Sequence, residues 1–526
     1  MHENSHPPAA FSRRAALAGA LGLGAASLTS WAVPASAAGT TLVPQPSKNA
    51  GPADPALAKH DLRAMWLSSV VNIDWPSKPG LPVEQQQSEL RDWFDLAQRH
   101  NHNAIMLQIR PTADAFWPGA KEPWSVHLTG EQGKDPGWDP LAFAISEGRR
   151  RNIQVHGWFN PYRVAMSAEP TLAPDHPARE HPDWVLPYGG KLYFNPGLPQ
   201  VRDHVIDAIM DAVRRYDLDG VHFDDYFYPY PVEGEVFDDA QAHAEHGNGV
   251  ALADWRRANI TDFMTRMRAA IKQIKPWVQF GVSPFAVWRN VATDPAGSNT
   301  TAGVQTYDDL YADTRLWAKQ GIVDYLSPQV YWSRGFAAAD YEIVVRWWAD
   351  QVRDANCNLY IGEGVYKVNA NTDPNWADPE ELSSHLEFDA DIAEVQGNLY
   401  FSAKSVRDDA LGACTLLRER WYSRPALVPQ YRWLDGSEPP PIAGLTRRGA
   451  QLSWDAPAAD VATVAVYKVS GFRVRPADLI DSSNLVATLP PSSGWTDPTG
   501  ADQGAVTYLV STVDRLGNES AAVTVR

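Results

Sequence analysis

The chain of 526 residues has little cysteine, little methionine and no surplus of positive charge. Cys357 and Cys414 are the only thiols. Two cysteines cannot form the disulfide framework of a small secreted scaffold, and they read as two small buried hydrophobes. The formal net charge is −17. That balance excludes a general binder of nucleic acid or of anionic membrane, because both need a basic surface. Beyond the first 37 residues no stretch approaches the roughly 20 apolar residues that cross a bilayer. No Gly-rich phosphate loop follows the first apolar strand, which removes support for a doubly wound nucleotide-binding sheet. Nothing has the spacing of a metal site either. His243, His246 and Asp238–Asp239 read as a solvated loop, so no metal and no cofactor are expected.

What is present begins with an address. "FSRRAALAGALGLGAASLTSWAVPASAA" carries Arg13 and Arg14, an apolar Ala/Leu/Gly run and Ala35-Ser36-Ala37. This is the pattern of a twin-arginine export signal, residues 1–37, ending in an A-x-A cleavage site. No cysteine stands at the cleavage point, which argues against a lipoprotein. Residues 38–58 read as a flexible spacer. The mature chain is expected outside the cytoplasm, secreted or associated with the cell wall, without an integral membrane segment.

From residue 59 to 430 short apolar runs alternate with helical patterns. Strands are expected at 62–70, 104–111, 154–163, 220–229, 278–288, 323–332, 359–366 and 397–406, with helix-length stretches between them. Eight β-α units in this length predict an α/β fold, a (β/α)8 TIM-type barrel. A Pro-rich linker (431–443) then leads to short alternating strands (444–526). These resemble an all-β fibronectin type III-like sandwich, with Trp454 as its core tryptophan and Tyr508 tying a corner. This tail reads as a spacer, with weak attachment to wall polymers as its alternative role.

In such barrels the reactive groups lie where the strands end and the βα loops begin. The stretch "DLDGVHFDDYFYPYP" (217–231) puts Asp224 and Asp225 at the end of strand four, against a run of aromatics. Period-two alternation places His222 and Asp224 on one face, taken as the inward one, with His222 a layer below. A bulge could bring Asp225 in as well. Asp224 is therefore expected to be essential to catalysis and Asp225 to tune it. Other strand ends offer Asp74, Gln108, Arg110, Asn160, Arg163, Gln329, Tyr331, Trp332 and Glu363. Together with His222, Tyr226 and Tyr228 these make a candidate sugar cleft, in which aromatic faces stack on the ligand and polar groups fix it.

The chain resembles the glycosyl-hydrolase-like family 10. The resemblance rests on "RAMWLSSVVNIDWP" (63–76), "IMLQIRPTADAFW" (105–117), "VHGWFNPYR" (155–163), "FNPGLPQVRDHV" (194–205), "DGVHFDDYFYP" (219–229), "DWRRANI" (254–260) and "SPQVYW" (327–332). It implies a barrel hydrolase of the bacterial envelope that acts on a polysaccharide or oligosaccharide, with peptidoglycan glycan strands as the substrate class. Glycoside hydrolysis needs a proton donor for the leaving oxygen and a second group to attack carbon or activate water. Asp224, Asp225 and Glu363, the last at the end of strand seven, are the catalytic candidates. Glu233 and Glu235 stand in reserve. The competing reading is a catalytically silent glycan-binding protein on a hydrolase fold. A correctly spaced acid–base pair separates the two.

Overall fold

The computed structural model describes residues 40–45, 58–500 and 505–526. The export signal and most of the expected spacer lie outside the described residues. Eight parallel strands close into a barrel: β1 (Leu62–Leu67), β2 (Ala104–Arg110), β3 (Gln154–Phe159), β4 (Gly220–Phe223), β5 (Gln279–Val282), β6 (Tyr325–Leu326), β7 (Asn358–Glu363) and β8 (Val395–Tyr400). Each pairs with its sequence neighbours, and β8 pairs with β1 to close the ring. A closed ring leaves no sheet edge exposed. The crossover helices include α1 (Val83–Arg99), α2 (Pro140–Arg151), α3 (Pro199–Arg215), α4 (Leu252–Ile274), α5 (Thr314–Lys319), α6 (Tyr341–Val352) and α7 (Glu381–Asp389). Their starts are local. The Asp139 carboxylate accepts from the Ala142 N–H with Pro140 in the first turn, and Asp340 caps α6 in the same way.

Several strands are shorter than their apolar runs. β4 stops at Phe223 although the aromatic run continues to Tyr230, because from Asp224 onward the chain leaves the ladder as a loop. β6 keeps two residues, since Pro328 has no N–H to donate. The excursion after β3 carries a small antiparallel sheet (Arg163–Ala165, Val185–Tyr188, Lys191–Phe194) that the periodicity did not announce.

The barrel interior is filled by large rings rather than by aliphatic layers alone. Trp66, Met106, Trp158, Tyr325 and Tyr360 form one cluster inside the ring of strands. Gly281 and Gly220 make this possible. A Cβ on Gly281 would lie 2.0 Å from the Tyr325 ring, and one on Gly220 would lie 2.3 Å from His156 Nδ1. The rings are tied by polar contacts. Trp66 Nε1 donates to His222 Nε2 at 3.0 Å, and the Tyr325 hydroxyl meets Nδ1 of both His222 and His156 at 3.0 Å.

The opposite, N-terminal end of the barrel is closed from outside. Tyr431 and Leu516 are buried in the same cluster as Tyr325 and Tyr360, and the Tyr431 and Tyr360 hydroxyls bond to each other. The stretch expected to be a linker is thus partly packed against the barrel floor. Two antiparallel sheets follow, one of five strands and one of three. Leu42–Val43 pairs with Ala522–Val525 in the larger sheet, so this part of the expected spacer is an ordered strand. Trp454 is buried between the sheets and donates to the Ser492 carbonyl, while the Tyr508 hydroxyl donates to Asp497 at 2.7 Å. Arg515 forms an ion pair with Asp217 at the foot of the barrel, and Thr463 bonds to Asn152. Cys357 and Cys414 are free and buried. Among the described residues no helix is long and apolar enough to cross a membrane.

Candidate active site

Asp224 and Asp225 are both buried, 5% and 6% exposed, immediately past the end of β4. Because the ladder has ended, strict alternation no longer separates them, and both carboxylates take part in one cluster. Asp224 Oδ2 accepts from Asn160 Nδ2 and from Trp158 Nε1 at 3.2 Å; its Oδ1 accepts from the Tyr226 backbone N–H at 3.2 Å. Asp225 Oδ2 is bonded to the Tyr230 hydroxyl, and the Gln329 amide, which donates to the Ser283 carbonyl at 2.8 Å, lies near enough to pull this carboxyl down. Arg163 lies close enough to Asp224 to act on it electrostatically. Its guanidinium sits over the Tyr226 ring, 5.2 Å from the centroid.

Hydrogen-bond polarity sorts the two carboxylates. Gln108 Oε1 accepts from the Ser68 hydroxyl (2.9 Å) and from the Ser69 and Val70 N–H groups (2.9 and 2.8 Å). Two of these donors are backbone groups, so the amide cannot be reversed. Its Nε2 must face Asn160, donating to Oδ1 at 2.6 Å. Asn160 is thereby fixed with its own Nδ2 toward Asp224. An indole N–H and a backbone N–H are donors only. Asp224 is thus surrounded by donors alone and suits the ionised form. Burial leaves its carboxyl raised above the ordinary carboxylate value, against the pull of Arg163, Asn160, the Tyr226 N–H and Trp158. Asp225 differs, because the tyrosine hydroxyl on it can donate or accept. Burial first, and the neighbouring Asp224 charge second, raise Asp225 to about 7.

The rings around the pair form a wall. Tyr230 packs edge-on against Tyr226 and Phe285, and Phe285 meets Trp332 at 5.5 Å. Tyr331 stacks on Phe401 at 6.2 Å and meets Tyr366 edge-on. Among the expected residues, Asn160, Arg163, Tyr226, Gln329 and Tyr331 thus gather at the pair, and Trp332 joins through Phe285. Trp158, Tyr230, Phe285 and Phe401 were not anticipated. A signal existed for Trp158, which shares its strand face with Asn160. None existed for Tyr230, one of four aromatics following Asp225 in a segment without regular period.

Six expected residues are placed elsewhere. Glu363 is fully buried and engaged away from the pair. Its carboxylate accepts from the Tyr341 hydroxyl of α6 (2.8 Å) and from Asn398 (3.1 Å), and it pairs with His385 of α7 (2.8 Å). Gly362 instead approaches Trp66 of the interior, so Glu363 falls on the helix side by alternation. Tyr228 is buried among Phe237, Tyr311 and Arg256 and presents no face to a sugar. Arg110 is wholly buried. It bonds to Glu122 through Nε at 2.6 Å and to the Asn160 and Pro161 carbonyls. Gln108 is the relay described above. His222 is locked beneath the floor by Trp66, Tyr325 and Ser283, and burial drives its pKa well down. Asp74 clamps the β1 and β8 loops, accepting from the Ser68 N–H, the Ser402 hydroxyl and the Lys404 N–H. Five of the six spend their polarity on the wall, while the Tyr228 hydroxyl is buried without a hydrogen-bond partner among the described residues.

The reserve Glu235 accepts from the Gly189 N–H at the surface. The loop expected to be solvated holds a short helix, Ala240–His246, and Asp239 is buried against Arg256. Among the described residues no cluster of His, Cys, Asp or Glu could hold a metal ion.

Comparison with known proteins agrees with the motifs. The family model described as Glycosyl hydrolase-like 10 matches residues 61–378. The chain is 45% identical over 483 residues to Glycosyl hydrolase YngK of Bacillus subtilis (strain 168), covering 89% of this chain and 93% of that one. It is 37% identical over 413 residues to Glycosyl hydrolase DigH of Escherichia coli (strain K12), covering 73% of this chain and 92% of that one. Among solved structures, the glycoside hydrolase domain of PgaB (BpsB) from Bordetella bronchiseptica is similar at 12% identity and a TM-score of 0.43, over 69% of this chain and 98% of that one. With a closed parallel barrel, a buried carboxylate pair at a strand end and a family match over most of the barrel, the chain belongs to the glycosyl hydrolase-like 10 family and is a glycoside hydrolase.

Proposed function

We propose that the protein is exported by the twin-arginine route and hydrolyses glycan strands of the bacterial envelope, peptidoglycan above all, with Asp225 as the proton donor and Asp224 as its ionised partner. The observation that carries the mechanism is the split within the pair: Asp224 meets donors only, while Asp225 stands at about 7 and meets a hydroxyl that can also accept. A group near 7 is poised both to give and to recover a proton under ordinary conditions. The sequence singled out Asp224 as essential without choosing its role and gave Asp225 a tuning part; in this reading Asp225 moves the proton and Asp224 holds charge.

Arg163 supports the reading. It is 5% exposed, its Nε donates to the Pro111 carbonyl, and its terminal nitrogens make no hydrogen bond among the described residues. Such a group holds the negative charge on Asp224 and is available to an acidic or hydroxyl substituent of the sugar. Tyr226, Tyr331 and Trp332 supply aromatic faces. The substrate class rests on the family, and export rests on Arg13, Arg14 and the A-x-A site.

The test is mass spectrometry of the products after incubation with peptide-free glycan strands, peptide-bearing peptidoglycan and plant polysaccharides. Soluble disaccharides or oligosaccharides from the bacterial strands support the proposal, and cleavage restricted to plant polymers sinks it. Replacing Arg13 and Arg14 by Lys retains the protein in the cytoplasm if the export route is right.

A further inference from the structure

Asp224 and Asp225 are adjacent and their carboxyls belong to one cluster, so they meet a sugar ring from one side. A retaining enzyme with its own nucleophile places two carboxyls about 5–5.5 Å apart across the scissile bond, and an inverting one about 6.5–9.5 Å apart. In this barrel the other strand-end carboxylates are held in the wall. Glu363 is bound by Tyr341, His385 and Asn398; Asp74 by Ser68, Ser402 and Lys404; Asp114 by Thr112. The attacking group must therefore come from solvent or from the substrate.

The free hydrogen-bonding positions at the pair choose between these. An ionised carboxylate has about four lone-pair sites. Asp224 fills three, two on Oδ2 and one on Oδ1, leaving one acceptor site on Oδ1. The Tyr331 hydroxyl, within electrostatic reach of Asp225 and Tyr226, makes no hydrogen bond among the described residues. The site thus offers one unused carboxylate acceptor and one unused hydroxyl donor. A secondary amide presents the complement, an N–H and a C=O.

We infer that the nucleophile is the carbonyl oxygen of a 2-acetamido group on the sugar itself, with Asp224 receiving the amide N–H and Tyr331 donating to the amide oxygen. This rests on the glycosidase reading above and narrows its substrate to 2-acetamido-2-deoxy sugars. In the first step the amide oxygen forms a bond to the anomeric carbon as the glycosidic C–O bond breaks. The Asp225 proton goes to the leaving oxygen. The positive charge of the resulting fused oxazolinium ring lies against ionised Asp224. In the second step water attacks the anomeric carbon, the bond to the amide oxygen breaks, and Asp225 takes the proton from water. The net reaction consumes one water, restores the acetamido group and retains the anomeric configuration. Attack from within the substrate carries effective molarities of about 10⁵–10⁸ M, which explains how one strand end can suffice.

The test uses the full mature chain with peptide-free strands whose 2-amino groups carry acetyl, fluoroacetyl or trifluoroacetyl, or no acyl group. The inference expects the acetylated strand to be cleaved with retention by NMR. It expects turnover to fall by about 10²-fold or more on full fluorination, the scale of losing one transition-state interaction, and the free-amine strand to resist. Inversion, equal cleavage of the free-amine strand, or indifference to fluorine overturns it. The fused thiazoline of N-acetylglucosamine, a mimic of the cyclic species, separates this inference from the choice of polymer. If no strand is cleaved but the thiazoline still raises the melting temperature, and Asp224→Asn abolishes that rise, the site stands and the polymer was wrong. If no strand is cleaved and the thiazoline has no effect, the inference falls with it.

Discussion

Two buried carboxylate clusters sit at the ends of barrel strands, one on β4 and one on β7, and by acidity alone they look alike. Asp225 is raised to about 7 by burial and by Asp224; Asp389 is raised to about 7 by burial and by Glu363. Their surroundings separate them. The β7 cluster contains its own cation: burial lowers His385, but Glu363 and Glu381 together raise it to about 9. Tyr341, Asn398 and Glu381 bond to the remaining members, between strands and helices. The β4 cluster lies past the strand end, and no ion pair joins Arg163 to Asp224 among the described residues. A perturbed pKa marks burial beside a like charge. Function needs, in addition, unfilled hydrogen-bonding positions facing a ligand.

The comparison is broken most directly by removing its reactive member. Asp225→Asn nearly preserves shape, so the fold should persist while turnover drops by about 10²–10⁴-fold, read as initial rate on a cleaved strand. A variant with parental rates would return Asp225 to the wall beside Asp389.

Glu363→Ala attacks the other cluster. It takes the nearer carboxylate from His385 in a fully buried place and leaves only Glu381, 3.1 Å from Nε2, and breaking a buried pair costs about 3–5 kcal/mol. The expected result is a large fall in the midpoint of urea denaturation, with turnover per folded molecule near that of the parent. Loss of turnover in protein that remains fully folded would put Glu363 back among the catalytic groups.

The two clusters also differ in pH dependence. Asp225 must be protonated to act, so kcat/KM should fall as pH rises through about 7. His385 is raised above its ordinary 6.5, so its contribution to stability is fully present below about 6.5. That contribution is lost as pH rises toward about 9, a change seen in melting temperature. The raised carboxyls act on stability in another window. The folded state binds their protons more tightly, so their effect declines from about pH 4 to about pH 7. A kcat/KM profile flat from pH 6 to 8 would contradict the proton-donor role.

The smallest expected effect is the most specific. The Tyr230 hydroxyl lowers Asp225, so Tyr230→Phe should move the alkaline limb of kcat/KM upward while rates well below pH 7 change little. An unmoved limb would show that the hydroxyl is a packing contact only.

Much of this organisation was legible in the chain. The β-α alternation gave eight strands and their order, since each strand must bury both faces and each helix one stripe. It located Asp224, Asp225, Asn160 and Arg163 at the right end of the barrel, because a strand-end position follows from where an apolar run stops. It did not distinguish Glu363 from Asp225. Both are acidic residues closing an apolar run, and the choice turns on a single residue of register, which sends a side chain inward or toward the helices. Tyr228 and Tyr230 likewise look equivalent in "YFYPYP", yet one meets Arg256 and the other Asp225.

The sequence by itself therefore determined the barrel, its family and the strand end that carries the paired carboxylates, because these depend on periodicity and local chain signals. Only the tertiary structure decided the polarity of the site. Gln108 is fixed by backbone N–H groups 39 and 38 residues away, and Asn160 is fixed by Gln108 across 52. Which carboxylate stays charged is set by the directions of those bonds, and direction between distant strands exists only once the barrel has closed.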